Sequence, residues 1–300
     1  MFSRYLLTLL CGLLLSCPLY ADTPNVLTTV KPLQLIAAAI LDDIAEPELL
    51  LPPTVSPHHY ALRPSDRRKL AKAERVYWVG PDLERFLQRL LEQQDTARRL
   101  DQVPNVTLRH FSGNHQPDDA GHHEHAPNTM DGHLWLSINN ARHIAQWMAA
   151  DLGELYPQYH QKLQDNALAF DQQLQQLDSQ LQARFQPLAG KPYFVFHDGY
   201  GYFEDSMAIH HQDVFTLSTD IQPGARHLQA LRDKLTTAGP SCMFREPQFP
   251  TERVAALSHG LPVHIAVLDP LGIDIPADRN GYILLLQGLG NSLAGCLEQL

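Results

Sequence analysis

The sequence predicts an α/β fold with two lobes, each built on a mainly parallel sheet flanked by helices and joined by one long linking helix. Short apolar runs alternate with helix-like stretches early in the chain and again after Pro187. This alternation is typical of parallel strands connected by crossover helices. Between the two series, residues 158–185 contain no Gly or Pro and place apolar side chains three and four residues apart. The 300 residues are enough for two cores of ordinary size.

The first lobe, which we place at residues 22–156, is predicted from short apolar runs separated by helical patterns. The predicted strands are Val26–Thr29, Leu49–Leu51, Val76–Val79 and Val106–Leu108. The predicted helices are Leu33–Leu41, Ser65–Ala73 and an amphipathic helix over residues 139–155. Pro32 supports the start of the first helix, because proline is favoured in the first turn.

The linking helix is placed at residues 157–186. At about 1.5 Å per residue, the regular part would reach roughly 40 Å. Its apolar positions do not sustain a heptad pattern, so we interpret it as one structural helix that spans both lobes and not as a coiled coil.

The second lobe, residues 187–300, repeats the alternation of strands and helices. Its predicted strands are Tyr193–Phe196, Val214–Leu217, Cys242–Phe244 and Val263–Leu268. Its predicted helices are Pro223–Leu235, Thr251–Ser258 and Gly281–Leu293.

Residues 1–21 have the layout of a secretory signal peptide: Arg4, an apolar run, and then small or turn-forming residues up to Ala21. The apolar run is shorter than the roughly 20 residues of a membrane-spanning helix, which favours cleavage after Ala21 over a retained anchor. The stretch that ends at Cys17 also resembles a lipoprotein cleavage site, so a lipid anchor there is the alternative. In an exported chain, the remaining pair Cys242 and Cys296 favours a disulfide over two buried thiols.

Composition narrows the function. The formal net charge of −10 argues against nucleic acid as a partner, because phosphate binding requires clustered Lys and Arg. The 16 His are many for this length, which directs attention to metal binding.

Three histidines lie beside apolar runs: His58, His133 and His197. Ligands of open α/β sheets gather beyond the carboxyl ends of the strands, so these residues can converge in space. Three imidazoles and one further ligand make a tetrahedral zinc set. Asp269, directly after a predicted strand, is a candidate for the fourth position, and water is the alternative. Taken singly, each His is more often a hydrogen-bonded structural residue.

Four segments together resemble the high-affinity zinc-binding receptors of bacterial ABC transporters, the ZnuA type. They are Leu50–Asp66, His133–Ser137, Tyr193–Phe203 and Leu268–Gly272. The resemblance implies that His58, His133 and His197 bind zinc and that Asp269 matches a carboxylate which coordinates metal in manganese receptors. It also implies a disulfide between Cys242 and Cys296 and a membrane permease as partner. We expect a periplasmic monomer.

The resemblance extends to a His-rich loop at about residues 111–131, longer than the usual limit of about 12–15 residues. It holds His115, His122, His123 and His125, and such tracts are typical of metal binding. We interpret the loop as an auxiliary site that captures zinc weakly; a solvated linker is the alternative.

Two other functions fit parts of the pattern. One is a manganese receptor or metal-binding adhesin on the same scaffold. The resemblance implies that manganese receptors have a Glu at the position of His197, and a third imidazole there favours zinc over manganese. The other is a zinc hydrolase, because three His and a water also form a catalytic set. The sequence contains neither HExxH nor a similar helical pair, which argues against the hydrolase.

Overall fold

The structure is a computed structural model that describes residues 23–111, 129–215, 224–248 and 251–300. The predicted signal peptide, with Cys17, lies outside the described residues. So do His115, His122, His123 and His125 of the predicted auxiliary loop.

Two four-stranded parallel sheets form the frame of the described chain, which confirms the predicted fold class. The first sheet has the order β2-β1-β3-β4 and the second the order β6-β5-β7-β8. The strands are β1 Val26–Thr28, β2 Glu48–Leu49, β3 Arg75–Trp78, β4 Ala97–Arg99, β5 Tyr193–Val195, β6 Asp213–Val214, β7 Ser241–Arg245 and β8 Val263–Val267.

Helices connect the strands and cover the sheets. In chain order they are α1 Lys31–Ile40, α2 Pro64–Lys72, α3 Gln88–Leu91, α4 Ile138–Leu155, α5 His160–Phe185, α6 Gly201–Met207, α7 Ala225–Ala238, α8 Thr251–Ser258 and α9 Gly281–Leu297. Short 3-10 turns precede some of them, including Arg85–Leu87 before α3 and Pro157–Tyr159 before α5. Among the described helices, none combines the length and the apolar character that crossing a bilayer requires.

The predicted strand Val106–Leu108 is wrong, and the fourth strand of the first sheet is β4. Residues 106–108 are irregular because the Asn140 side chain takes the place of a neighbouring strand. Its Oδ1 accepts from Thr107 N at 2.9 Å, and its Nδ2 donates to Thr107 O at 2.9 Å. The strand β4 is not part of an apolar run, because two of its three residues are Arg98 and Arg99. These two side chains form ion pairs with nearby carboxylates.

We expect Asn140→Ala to lower the free energy of unfolding by about 1–3 kcal/mol, because it removes the side-chain partner of the part-buried Thr107 N–H and C=O groups and one donor to the Leu134 carbonyl. Denaturant titration measures the change. The matched control is Asn139→Ala, since Asn139 is adjacent and exposed. An equal loss in both variants would contradict this account.

One hydrophobic core runs from the first sheet to the second. It joins Val26 of β1, Leu163, Phe170 and Leu177 of α5, and Tyr193 of β5. The apolar stripe of α5 is therefore a packing face against both lobes, as predicted.

The predicted disulfide is present. Cys242 in β7 and Cys296 in α9 are joined by an S–S bond of 2.02 Å, across a sequence separation of 54. The bond fixes the last helix to the centre of the second sheet and stabilises the second lobe by about 2–4 kcal/mol on the chain-entropy account.

Candidate metal centre

Three histidines from separate parts of the chain converge. His58 lies on the irregular segment between β2 and α2, His133 precedes the 3-10 turn Leu134–Leu136, and His197 follows β5. One ring nitrogen from each lies within 4.8 Å of the other two. His133 and His197 are buried and His58 is half-buried, so the cluster is largely closed to solvent.

Buried carboxylates hold two of the three rings. His133 Nδ1 lies 2.8 Å from Asp131 Oδ1, and His197 Nδ1 contacts Glu246 Oε1. A carboxylate accepts, so Nδ1–H donates and Nε2 presents its lone pair to the centre of the cluster.

The spacing of the two Nε2 atoms matches a shared metal ion. His133 Nε2 and His197 Nε2 are 3.2 Å apart. Two nitrogens that each lie about 2.05 Å from a tetrahedral zinc are about 3.3 Å from each other. The two Nε2 atoms therefore have the spacing that two ligands of one zinc ion would need.

Glu246 is a site residue that sequence reasoning missed. It is fully buried, and its carboxylate also accepts from Tyr200 Oη at 2.9 Å and from Gln248 Nε2 at 2.6 Å. Burial and the charge of Glu246 raise the pKa of Tyr200, which keeps that hydroxyl protonated as a donor. The sequence signal that could have indicated Glu246 is its position, because it directly follows the strand β7.

Asp269 is not brought into the cluster. Its carboxylate accepts from the backbone N–H groups of Leu271, Gly272 and Ile273 at 3.1, 2.8 and 2.7 Å. Burial raises its pKa, and these three donors act against the rise. In this structure the residue caps the turn after β8.

The cavity at the centre is small, about 10 Å³. This is the room that a single water molecule or ion needs. Besides the three histidines, the wall contains Pro57, Trp135, Pro270 and Leu271, which exclude water on the apolar sides.

Gly199 leaves the space in front of the two buried ligands open. A Cβ atom at this position would lie 2.5 Å from His197 Nε2 and 3.0 Å from His133 Nε2. Any larger residue would occupy the place where a metal ion meets the nitrogens. This requirement was also not anticipated from the sequence.

Two parallel-sheet lobes, a long helix between them and histidines that converge at strand ends define the class of metal-binding solute receptors. The sequence profile of the family described as zinc-uptake complex component A, periplasmic, matches residues 26–296. The chain belongs to this family, the ZnuA family.

Known proteins resemble the chain over most of its length. It is 40% identical to the high-affinity zinc uptake system protein ZnuA of Yersinia pestis, over 96% of this chain and 95% of that protein. It is 33% identical to the protein of the same description in Haemophilus ducreyi, over 92% and 94%.

Solved structures show the same fold. A crystal structure of ZnuA matches with a TM-score of 0.74 at 23% identity, covering 90% of this chain and 99% of that one. The protein FpvC of Pseudomonas aeruginosa, in complex with Mn²⁺, matches with a TM-score of 0.78 at 19% identity, covering 93% and 99%. The fold alone therefore does not select the metal.

Proposed function

We propose that this chain captures Zn²⁺ in the periplasm with His58, His133 and His197 and delivers it to the membrane permease of an ABC transporter. The observation that carries the proposal is the 3.2 Å separation of two Nε2 atoms whose rings are each held by a buried carboxylate. Family membership supports it, because the named activity of the relatives is high-affinity zinc uptake.

The composition of the cluster favours zinc over manganese. Imidazole nitrogen suits Zn²⁺, whereas Mn²⁺ prefers carboxylate and other oxygen ligands. The ligand atoms that lie together come from three histidines, and the nearest acidic residues, Asp131 and Glu246, hold the rings.

For the fourth ligand we propose a water molecule. Asp269 accepts hydrogen bonds from the backbone N–H groups of Leu271, Gly272 and Ile273, and its oxygens are not among the ligand atoms that lie together. The cavity beside the three histidines, about 10 Å³, has the room that one water molecule needs.

A receptor fits the geometry better than a hydrolase. A catalytic zinc needs space for a substrate beside its water, and small-molecule sites typically provide about 300 Å³ or more. The cavity formed by the described residues has about 10 Å³, enough for the cargo alone.

The organisation of the chain follows from the same proposal. We place a cleaved signal peptide at residues 1–21, with a lipid anchor at Cys17 as the alternative. We place the lobes at 22–156 and 187–300 and the linking helix at 157–186. The sheets within 26–99 and 193–267 and the helix α5 support this division. We propose that the receptor acts as a monomer.

Competition between metals tests the proposal. We expect metal-free protein to bind one Zn²⁺ tightly and to keep it against an equal concentration of Mn²⁺. Anomalous scattering at the zinc edge from a metal-loaded crystal identifies the ion and counts its ligands. Displacement of Zn²⁺ by Mn²⁺ at equal concentration would overturn the zinc assignment.

His197→Glu sharpens the same test. It replaces an imidazole by a carboxylate, so we expect the ratio of zinc to manganese affinity to fall by about tenfold, because carboxylates suit Mn²⁺ better. Titration of wild type and variant with both metals measures the ratio. An unchanged ratio would show that this position does not set selectivity.

A further inference from the structure

The outer surface of the first lobe carries a concentration of positive charge in an acidic protein. The chain has a net charge of −10, yet residues 63–72 hold five of its 23 Lys and Arg and a single acid, Asp66, which is buried. We define the basic face as Arg63, Arg67, Arg68, Arg85 and Arg89, all of which are exposed.

The five arginines belong to one surface because α2 and residues 85–91 cover the same side of the first sheet. Leu70 of α2 and Leu87 and Leu91 lie in a single apolar cluster beneath them. The rings of Tyr60 and Phe86 meet edge to face at 5.8 Å and join the two segments at their starts.

The basic face adjoins the metal centre. In a parallel sheet the carboxyl ends of the strands lie at one edge, and the segments that follow β2 and β3 begin there. Arg63 is five residues beyond His58 on the same segment, and Arg85 follows the loop after β3. The start of the basic face therefore lies at the edge of the sheet that carries the cluster.

Folding does not account for this charge. Arg63 and Arg67 lie at the beginning of α2, where positive charge opposes the helix dipole. Arg85 and Arg89 are a like-charged pair four residues apart in consecutive helical turns, and such pairs are destabilising. Among the described carboxylates, none forms an ion pair with these five side chains, whereas neighbouring Lys69 and Arg99 do have partners.

We propose that the basic face is the surface on which the membrane permease docks, through an acidic segment that faces the periplasm. This inference rests on the proposed function as a transport receptor. Guanidinium groups bind carboxylates with two parallel hydrogen bonds, which suits a row of Arg to an acidic peptide. Docking there places the partner next to His58, the most exposed of the three ligands.

An acidic protein segment fits better than an anionic lipid surface. A membrane surface is negative over its whole area and would also face the acidic remainder of the chain. A short acidic segment would contact the basic face alone. Repulsion from the acidic remainder of the chain would then be weak, because charges more than about 8 Å away are largely screened at physiological salt.

The test compares Arg67→Glu/Arg68→Glu with the control Lys162→Glu/Arg279→Glu. Both double variants change the net charge equally. In the control, half-buried Lys162 pairs with Asp43 and exposed Arg279 pairs with Asp42, outside the basic face. The probe is the zinc-loaded receptor titrated onto the permease reconstituted in phosphatidylcholine vesicles, with phosphatidylglycerol vesicles lacking permease alongside. Zinc affinity is measured separately for all proteins.

We expect docking of Arg67→Glu/Arg68→Glu to weaken about tenfold, with unchanged docking of the control and unchanged zinc affinity in both. Rising salt should weaken docking of the wild type and leave little effect in the basic-face variant. Equal docking of both double variants would overturn the proposal. So would binding of the wild type to phosphatidylglycerol vesicles that disappears with the same two substitutions. A wild-type chain without tight zinc binding would instead count against the proposed function.

Discussion

Replacing His133 with alanine will lower the zinc affinity by more than about 100-fold. Changing a residue that only orients a metal ligand already costs about 10–100-fold, and here the ligand itself is removed. The ring is buried at 2% exposure, so solvent does not readily reach the vacated position with a well-placed replacement. Competition with a chromophoric chelator measures the affinity.

His59→Ala is the matched control for His133→Ala. His59 is exposed and adjacent to the ligand His58, yet it is not among the three histidines whose nitrogens meet. Circular dichroism of the metal-free proteins checks that each variant is folded. A His133→Ala protein that is folded and binds zinc as tightly as His59→Ala would remove His133 from the site.

Position relative to strand ends made the three histidines candidates for a common site. His197 lies two residues beyond the end of β5, and His58 lies beyond β2, where an α/β sheet collects its ligands. Family resemblance then distinguished His58 from His59, which spacing alone did not do. Convergence of these side chains depends on the packing of two lobes around α5, and only the structure shows it.

The same rule did not separate Asp269 from Glu246. Both are carboxylates that follow strands of the second sheet, β8 and β7. The sheet order places β7 next to β5, which carries His197, and places β8 one strand further away. This order is a property of the folded topology, so the sequence alone did not single out Glu246, the carboxylate that contacts His197.

The misplaced fourth strand has a related cause. Apolar runs predict strands that are buried by their own side chains, and Val106–Leu108 satisfies this pattern. The actual strand β4 is held at the sheet edge by Arg98 and Arg99, whose charges are compensated by Asp151 and Asp101. Asp101 is only two residues from Arg99, whereas Asp151 lies 53 residues beyond Arg98, and neither contact leaves a periodic apolar signal.

Glu246→Gln will lower the zinc affinity by about 10–100-fold although it keeps the size of the side chain. A carboxylate only accepts, so it fixes the proton of His197 on Nδ1 and leaves Nε2 for the metal. A glutamine amide also donates, which allows the opposite tautomer with the proton on Nε2. It further places an NH₂ group among the donors Tyr200 and Gln248.

Glu84→Gln is the control that separates the orienting of His197 by a carboxylate from the general effect of replacing a buried carboxylate. Glu84 is another fully buried carboxylate, and it accepts from Val79 N in the first lobe, outside the metal cluster. Burial raises its pKa to about 7, so about half of the Glu84 side chains carry a charge at neutral pH. We expect its zinc affinity to equal that of the wild type, and ¹⁵N NMR of the imidazole rings to show a changed tautomer at His197 only in Glu246→Gln. Equal zinc affinities in the two variants would mean that Glu246 fills space without orienting the ligand.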